Sequence, residues 1–166
     1  MLPANIRAPI RRIWPGYFLP DHVVLKKRKP GWEEDFENEK AKYARLQPLQ
    51  GHTIPIYYGE AQCDGTPAIL LEDVEGEPPF RQQRPFLSEA EFRRRLEAAY
   101  ETFRSFGLMT DDTKLGHTLL VGDKVVFVDL EGVHELDKEA WEDFYRIGID
   151  ELVYQYQGFL KSSADE

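Results

Sequence analysis

Residues 107–132 read GLMTDDTKLGHTLLVGDKVVFVDLEG and carry two acidic clusters, Asp111-Asp112 and Asp129-Leu130-Glu131, on either side of a short apolar unit. TLLV and KVVFV flank Gly122-Asp123, a two-residue turn of the II′ kind, which predicts a hairpin that folds the clusters towards each other. Converged carboxylates can hold a divalent cation through hard oxygen ligands or take part in proton transfer. Left apart, they are two solvated loops. Asp129 makes the strongest case for function, because it ends a fully apolar strand where a charge is otherwise avoided; Glu131 could assist it as an oxygen ligand. His117 follows Asp112 by five residues. Imidazole suits zinc and other transition metals better than magnesium, and as a class it titrates near neutral pH, so an acid–base role costs little to acquire.

A further candidate lies upstream. WEEDFENEKAKYARL (32–46) reads as a helix with Phe36, Tyr43 and Leu46 on one stripe. Glu39 lies on that stripe, and a carboxylate on a core-facing stripe is costly unless a cation meets it. HVVLKK (22–27), ahead of it, reads as a short strand.

The elements that must position these residues follow from local signals. Pro30-Gly31 closes the first strand. IPIYYGEAQCDGTPAILLED (54–73) reads as a hairpin around Asp64-Gly65, a dipeptide suited to a type I′ turn. After the Pro-rich connector VEGEPPFRQQRPF, Ser88 and Glu91 form a capping box. The helix they open places Phe92, Leu96, Ala99, Tyr100 and Phe103 on one face and ends at Gly107. Apolar residues at 141, 144, 145, 149, 152, 156 and 159 predict one long helix or two, with Gly148 as the break. Tyr57, Tyr58 and Trp141 read as core aromatics, and His22, His52 and His134 as structural or exposed.

The order of these parts resembles the catalytic core of protein kinases and of aminoglycoside and choline kinases, and the chain is similar to short fungal kinase-like proteins. VVLK places Lys26 where such cores have the phosphate-gripping lysine, and Glu39 resembles the helix glutamate that pairs with it. LLEDVEG (70–76) is similar to the segment that links the two lobes. TDDTKLGH (110–117) resembles the catalytic loop H-R-D-x-x-x-x-N, with Asp112 at the place of the catalytic base, and VVFVDLEG resembles the strand leading to D-F-G, with Asp129 as metal carboxylate. The resemblance spans about residues 22–132. It implies an α+β, truncated kinase-like fold: a single domain over 1–161, made of an N-lobe-like part (22–73) and a shortened C-lobe-like part (74–161), followed by a frayed tail (162–166).

The departures from that pattern shape the expected function. His117 stands where a second metal-binding Asn belongs, and Thr110 where the loop histidine belongs. Residues 1–25 hold one glycine, Gly16, so no Gly-rich phosphate lid can be drawn. Residues 133–166 are too few for an activation segment and a peptide-docking platform, and A-P-E is absent, which argues against protein kinase activity. The leading expectation is therefore a small-molecule enzyme: a repurposed cleft binding an organic ligand for acid–base work by Asp112, His117 and Asp129, such as an isomerisation or cyclisation in specialised metabolism. The alternatives are an ATP-dependent small-molecule phosphotransferase, using Lys26 and Glu39 for the cofactor Mg-ATP and Asp129 with Glu131 for the metal, and a pseudokinase-like binding module without catalysis.

The bulk properties narrow the partners. A net charge of −9 over 166 residues opposes a phosphate backbone, so nucleic acid is not expected despite KKRK at 26–29. The single cysteine, Cys63, excludes an internal disulfide and points to a reducing compartment. No apolar run reaches the roughly 20 residues of a membrane helix. Arg7, Arg11 and Arg12 faintly suggest a transit peptide, but Pro3, Pro9, Pro15 and Pro20 would break its helix. A cytoplasmic protein with a meandering Pro-rich opening segment is the expectation.

Overall fold

The N-terminal sheet forms because three β-rich runs are separated by residues that force turns. A computed structural model describes residues 19–135 and 138–164 of the chain; the opening segment up to residue 18, with its prolines and arginines, lies outside the described residues. Strands β1 (Val23–Lys27), β2 (Tyr57–Cys63) and β3 (Thr66–Glu72) make one antiparallel sheet in the order β1-β3-β2. The β2–β3 turn has Asp64 and Gly65 at φ 52° and 74°, the sign pattern that a type I′ hairpin needs. Lys26 lies opposite Ile69 on the neighbouring strand.

Helix α1 (Glu33–Arg45) follows β1 and buries Phe36, Glu39 and Tyr43, the stripe expected from its spacing. Acids occupy its first turn and Lys42 and Arg45 its last, complementing the helix dipole. It rests against the sheet through Tyr43, stacked on Tyr57 at 5.6 Å between ring centroids, and through Lys40, paired with Glu60 at 2.9 Å.

Helix α2 (Glu89–Ser105) begins where Ser88 Oγ accepts the Glu91 N–H at 3.2 Å. The expected capping box is only half made, because the Glu91 carboxylate pairs with Arg94 and Arg95 instead of reaching back. Gly107, left-handed at φ 67°, stops the helix. The chain then forms β4 (Leu108–Thr110), the hairpin β5 (Thr118–Val121) and β6 (Lys124–Phe127), and β7 (Val133–Glu135). β5 pairs with β6 across Gly122, as expected; the pairing of β4 with β7 is an addition to the expected layout.

Helix α3 (Lys138–Ala164) is continuous, so Gly148 is not a break. A Cβ at that position would meet Tyr100 Oη at 2.9 Å. The glycine is there for a close helix–helix approach. The helix also continues through Ser162, Ser163 and Ala164, which were expected to begin a frayed tail; residues 165 and 166 lie outside the described residues. α2 and α3 run antiparallel, since Arg93 pairs with Asp150 and Arg104 with Glu142. Between them Phe92, Tyr100 and Phe103 meet Ile149, Leu152 and Tyr156, all buried, and Trp141 is buried as expected. No helix among the described residues is long and apolar enough to cross a membrane.

Candidate functional site

Lys26 is the centre of the first half of the site. Its Nζ lies 2.7 Å from Glu39 Oε2, 3.0 Å from Asp129 Oδ1 and 3.0 Å from Glu131 Oε1. Strand β1, helix α1 and the loop after β6 thus deliver one charge each, with Glu131 as a further carboxylate from that loop. Glu39 is 1 % exposed, and its second oxygen, Oε1, has no hydrogen-bond partner. The cation demanded by a carboxylate on the buried stripe is Lys26.

The charges shift one another as this crowding dictates. Burial works against the Lys26 ammonium, but hydrogen bonds to Glu39, Glu131 and Asp129 outweigh it and hold its pKa well above the ordinary lysine range. Burial pushes the Glu39 carboxyl up in spite of Lys26. For Asp129, burial is again the largest influence, yet Lys26 and the Glu131 N–H overcome it and hold the carboxyl down. The partners of the Lys26–Glu39 pair both move upward, for different reasons: the carboxylates around Lys26 favour its charged form, whereas burial disfavours that of Glu39 and the nearby Asp129 adds to it.

The loop that aims Asp129 is fastened from α1. Lys42 Nζ donates to the carbonyls of Leu130 at 3.0 Å and Glu131 at 2.7 Å. Asp129 itself is left-handed at φ 69°, a conformation that aspartate tolerates better than most residues but that still costs about 1 kcal/mol or more. Lys42 was not singled out from sequence. The available signal was its position three residues after Glu39, one turn further along the same helix.

His117 and Asp112 form the second half. Leu115–His117 is a 3₁₀ turn leading into β5. There His117 Nδ1 donates to Asp112 Oδ2 in a very short hydrogen bond. An ionised carboxylate accepts only, so this contact places a proton on Nδ1 and leaves Nε2 as the ring nitrogen not engaged by Asp112. Asp112 is held by its neighbours: its N–H donates to Thr110 Oγ1 at 3.2 Å, and its Oδ1 accepts the Lys114 N–H at 3.3 Å. Buried Thr110, at the place of the loop histidine in the resemblance, therefore supports the loop. From α3, Gln155 donates to the Thr113 carbonyl at 2.8 Å and accepts the Leu115 N–H at 3.3 Å. Gln155 was missed because no local pattern links it to a loop forty residues earlier.

The two halves meet at a cavity of about 420 Å³ between β1, the segment after β3 and the β5–β6 hairpin. Lys26, His117 and Asp129 face it, and the Val128 N–H donates to the His117 carbonyl at 2.9 Å, tying the two arms together. Most of the remaining wall is apolar, including Val24, Leu25, Leu71, Leu119 and Val128. Glu39 and Asp112 do not line it; they stand behind Lys26 and His117 and set how those groups are presented. Asp111 is exposed. A larger hollow of about 490 Å³, beside Asp21, His22 and Tyr58, lies across the Glu72–Val74 segment and holds none of the sequence-predicted site residues.

One ligand atom from each of Glu39, Asp129 and Glu131 lies within 4.8 Å of the others. These are hard oxygen donors of the kind Mg²⁺ takes, so the donor set fits such a cation, although the Lys26 ammonium sits among them. The rest of the KKRK run is committed locally: Lys27 to Asp64 at 2.9 Å, Arg28 to Glu33 at 3.5 Å, and Lys29 over the Trp32 ring at 4.8 Å. Compared with protein families and with curated proteins, the chain matches no family model and no curated sequence.

Proposed function

We propose that the chain is a small-molecule enzyme on a truncated, degenerate kinase-like scaffold, and that His117 transfers protons to or from an organic ligand held in the 420 Å³ cavity. The observation that carries this reading is the Asp112–His117 pair at the edge of a mostly apolar cavity. Asp112 fixes the tautomer and orientation of the imidazole, which leaves Nε2 for the chemistry. The apolar wall suits an organic skeleton, while Lys26 and Asp129 bring the charged end of the cavity beside the imidazole. An isomerisation or a cyclisation needs little more: one group that takes or gives a proton, and a shaped space that holds the reacting conformer.

A residual phosphotransferase is the second reading, and the 2.7 Å Lys26–Glu39 ion pair next to Asp129 favours it. In that case Asp129 and Glu131 would hold Mg²⁺, which bridges phosphate oxygens and neutralises their charge when bound. Against it stands the Lys26 ammonium, whose charge three surrounding carboxylates already neutralise.

Ligand-observed NMR with a library of uncharged organic molecules, followed by mass spectrometry of deuterium uptake from D₂O, tests the proposal. Bound ligands should exchange a proton with solvent, and His117→Ala should abolish the exchange while leaving binding within a few-fold. Exchange that survives both His117→Ala and Asp112→Asn refutes the acid–base role. Calorimetric binding of Mg-ATP at millimolar nucleotide would transfer the assignment to the phosphotransferase, and binding without turnover in any assay would leave a binding module.

A further inference from the structure

We infer that Glu131 sets the charge selectivity of the cleft: as the third carboxylate ion-paired with the Lys26 ammonium, it closes the cavity to anionic ligands, leaving it to uncharged or cationic ones. This rests on the cavity being the ligand site proposed above, and it names the class of ligand which that site accepts.

A lysine ammonium has three donors. Glu39, Asp129 and Glu131 surround this one at 2.7, 3.0 and 3.0 Å, and Asp129 accepts a hydrogen bond from it. Lys26 is the only lysine or arginine on the cavity wall among the described residues, whereas Glu72 and Asp73 add carboxylates to Asp129 on that wall. A phosphate or carboxylate entering the cavity therefore finds its one cation already paired with three carboxylates, and a surplus of negative charge.

The three acids do not contribute alike. Glu39 is buried behind Lys26, and Asp129 is set by the backbone of its loop. Glu131 is the most exposed of the three, with 32 % of its side chain accessible, so its carboxylate is the one whose loss leaves the rest of the pair intact. Its placement is nonetheless enforced. Lys42 holds the Glu131 carbonyl at 2.7 Å, and the Glu131 N–H donates to Asp129 Oδ1 at 3.3 Å. The residue is pinned through both its N–H and its carbonyl, and its side chain meets Lys26 from behind the cavity wall, which it does not itself line.

Pyrophosphate titrated into the full chain in metal-free buffer, followed by ¹H–¹⁵N NMR at the Lys26, Val128 and Asp129 amides, tests the gate. The unaltered protein should show no saturable shift at low millimolar pyrophosphate. Glu131→Gln should bind at least about tenfold more tightly, the scale expected from removing one charge a few ångströms from the anion. The gain should vanish in Glu131→Gln/Lys26→Met and be absent from Glu34→Gln, a charge-matched change on the exposed face of α1. If Glu131→Gln loses its dispersed spectrum, Glu131→Ser carries the same expectation.

A Glu131 variant that binds no tighter overturns the inference, as does a gain shared by Glu34→Gln or one that persists without Lys26. Proton exchange at His117 is read separately. Its failure beside a working gate leaves a selective binding cleft, and its success beside a failed gate leaves an enzyme whose ligand charge is set elsewhere.

Discussion

Replacing Lys26 with methionine keeps most of the side-chain volume and removes the one positive charge that three carboxylates share. At the 2.7 Å separation from Glu39, a unit ion pair in an effective dielectric of about 20 is worth about 6 kcal/mol before desolvation is counted. Removing one partner of a buried pair costs about 3–5 kcal/mol net, because the other is left as an uncompensated buried charge. The Lys26 side chain is 24 % exposed and Asp129 and Glu131 are 26 % and 32 % exposed, so water can relieve part of that cost. The expected loss is about 2–4 kcal/mol at pH 7, measured by urea unfolding followed by far-ultraviolet circular dichroism.

The same variant has a pH signature with a definite sign. Burial already pushes the Glu39 carboxyl above its ordinary value with Lys26 present; without the ammonium its strongest opponent is gone. Between the unfolded pKa of about 4.3 and the higher folded one, the folded state binds more protons, so stability falls as pH rises through that window. The deficit of Lys26→Met should therefore shrink on acidification from pH 7 towards 5. In the unaltered protein the raised Lys26 pKa gives a contribution that is complete below the ordinary lysine range and is lost only when pH rises through the folded value. Adding Glu39→Gln to Lys26→Met should restore at least half of the lost stability. A deficit below about 0.5 kcal/mol, or one unchanged by pH and by Glu39→Gln, would refute the claim that a buried, crowded carboxylate underlies the cluster.

Gly148→Ala should destabilise by about 1–2 kcal/mol despite the better helix propensity of alanine, because its Cβ would lie 2.9 Å from Tyr100 Oη. Tyr100→Phe removes that oxygen, which is buried and unpartnered, and should rescue most of the loss in thermal or urea unfolding. Gly132→Ala should cost about 1–3 kcal/mol, since its Cβ would meet Asp111 Oδ1 at 2.6 Å and the Asp112 backbone nitrogen at 3.0 Å. It should also shift the His117 imidazole resonances by moving Asp112, whereas an unshifted imidazole would show that the loop holds Asp112 independently of Gly132.

What could be read from sequence follows from the range over which each signal acts. The Asp64-Gly65 and Gly122-Asp123 turns, the stop at Gly107 and the buried stripe of α1 are encoded in adjacent residues or one helical period, and each is found where its local chemistry puts it. Glu39 was the most informative residue. Its conflict with an apolar stripe implied a distant cation, and Lys26 is that cation. Signals failed where a partner came from a remote element. Gly148 has the composition of a helix break, but its meaning lies on Tyr100 of α2; Lys42 and Gln155 act on loops that no periodicity connects to them. Glu91 had the right spacing for a capping box, yet two arginines on its own helix outcompeted the single backbone N–H it would have reached.

The competition between the two readings of the cleft comes down to the company Lys26 keeps. An ammonium enclosed by Glu39, Asp129 and Glu131 at 2.7–3.0 Å meets a phosphate only against their three negative charges. To become available it must lose Asp129 and Glu131, and those carboxylates would leave only for another cation. Phosphate binding and divalent-cation binding would then be coupled, each strengthening the other by the same factor, because linkage between two sites is reciprocal. Proton transfer by His117 carries no such requirement: its Nδ1 is already held by Asp112, and its cavity is lined mainly by apolar side chains. The acid–base reading works with the charges where they stand, whereas phosphoryl transfer needs the cluster to be rebuilt around a metal, and that difference is why the first is preferred.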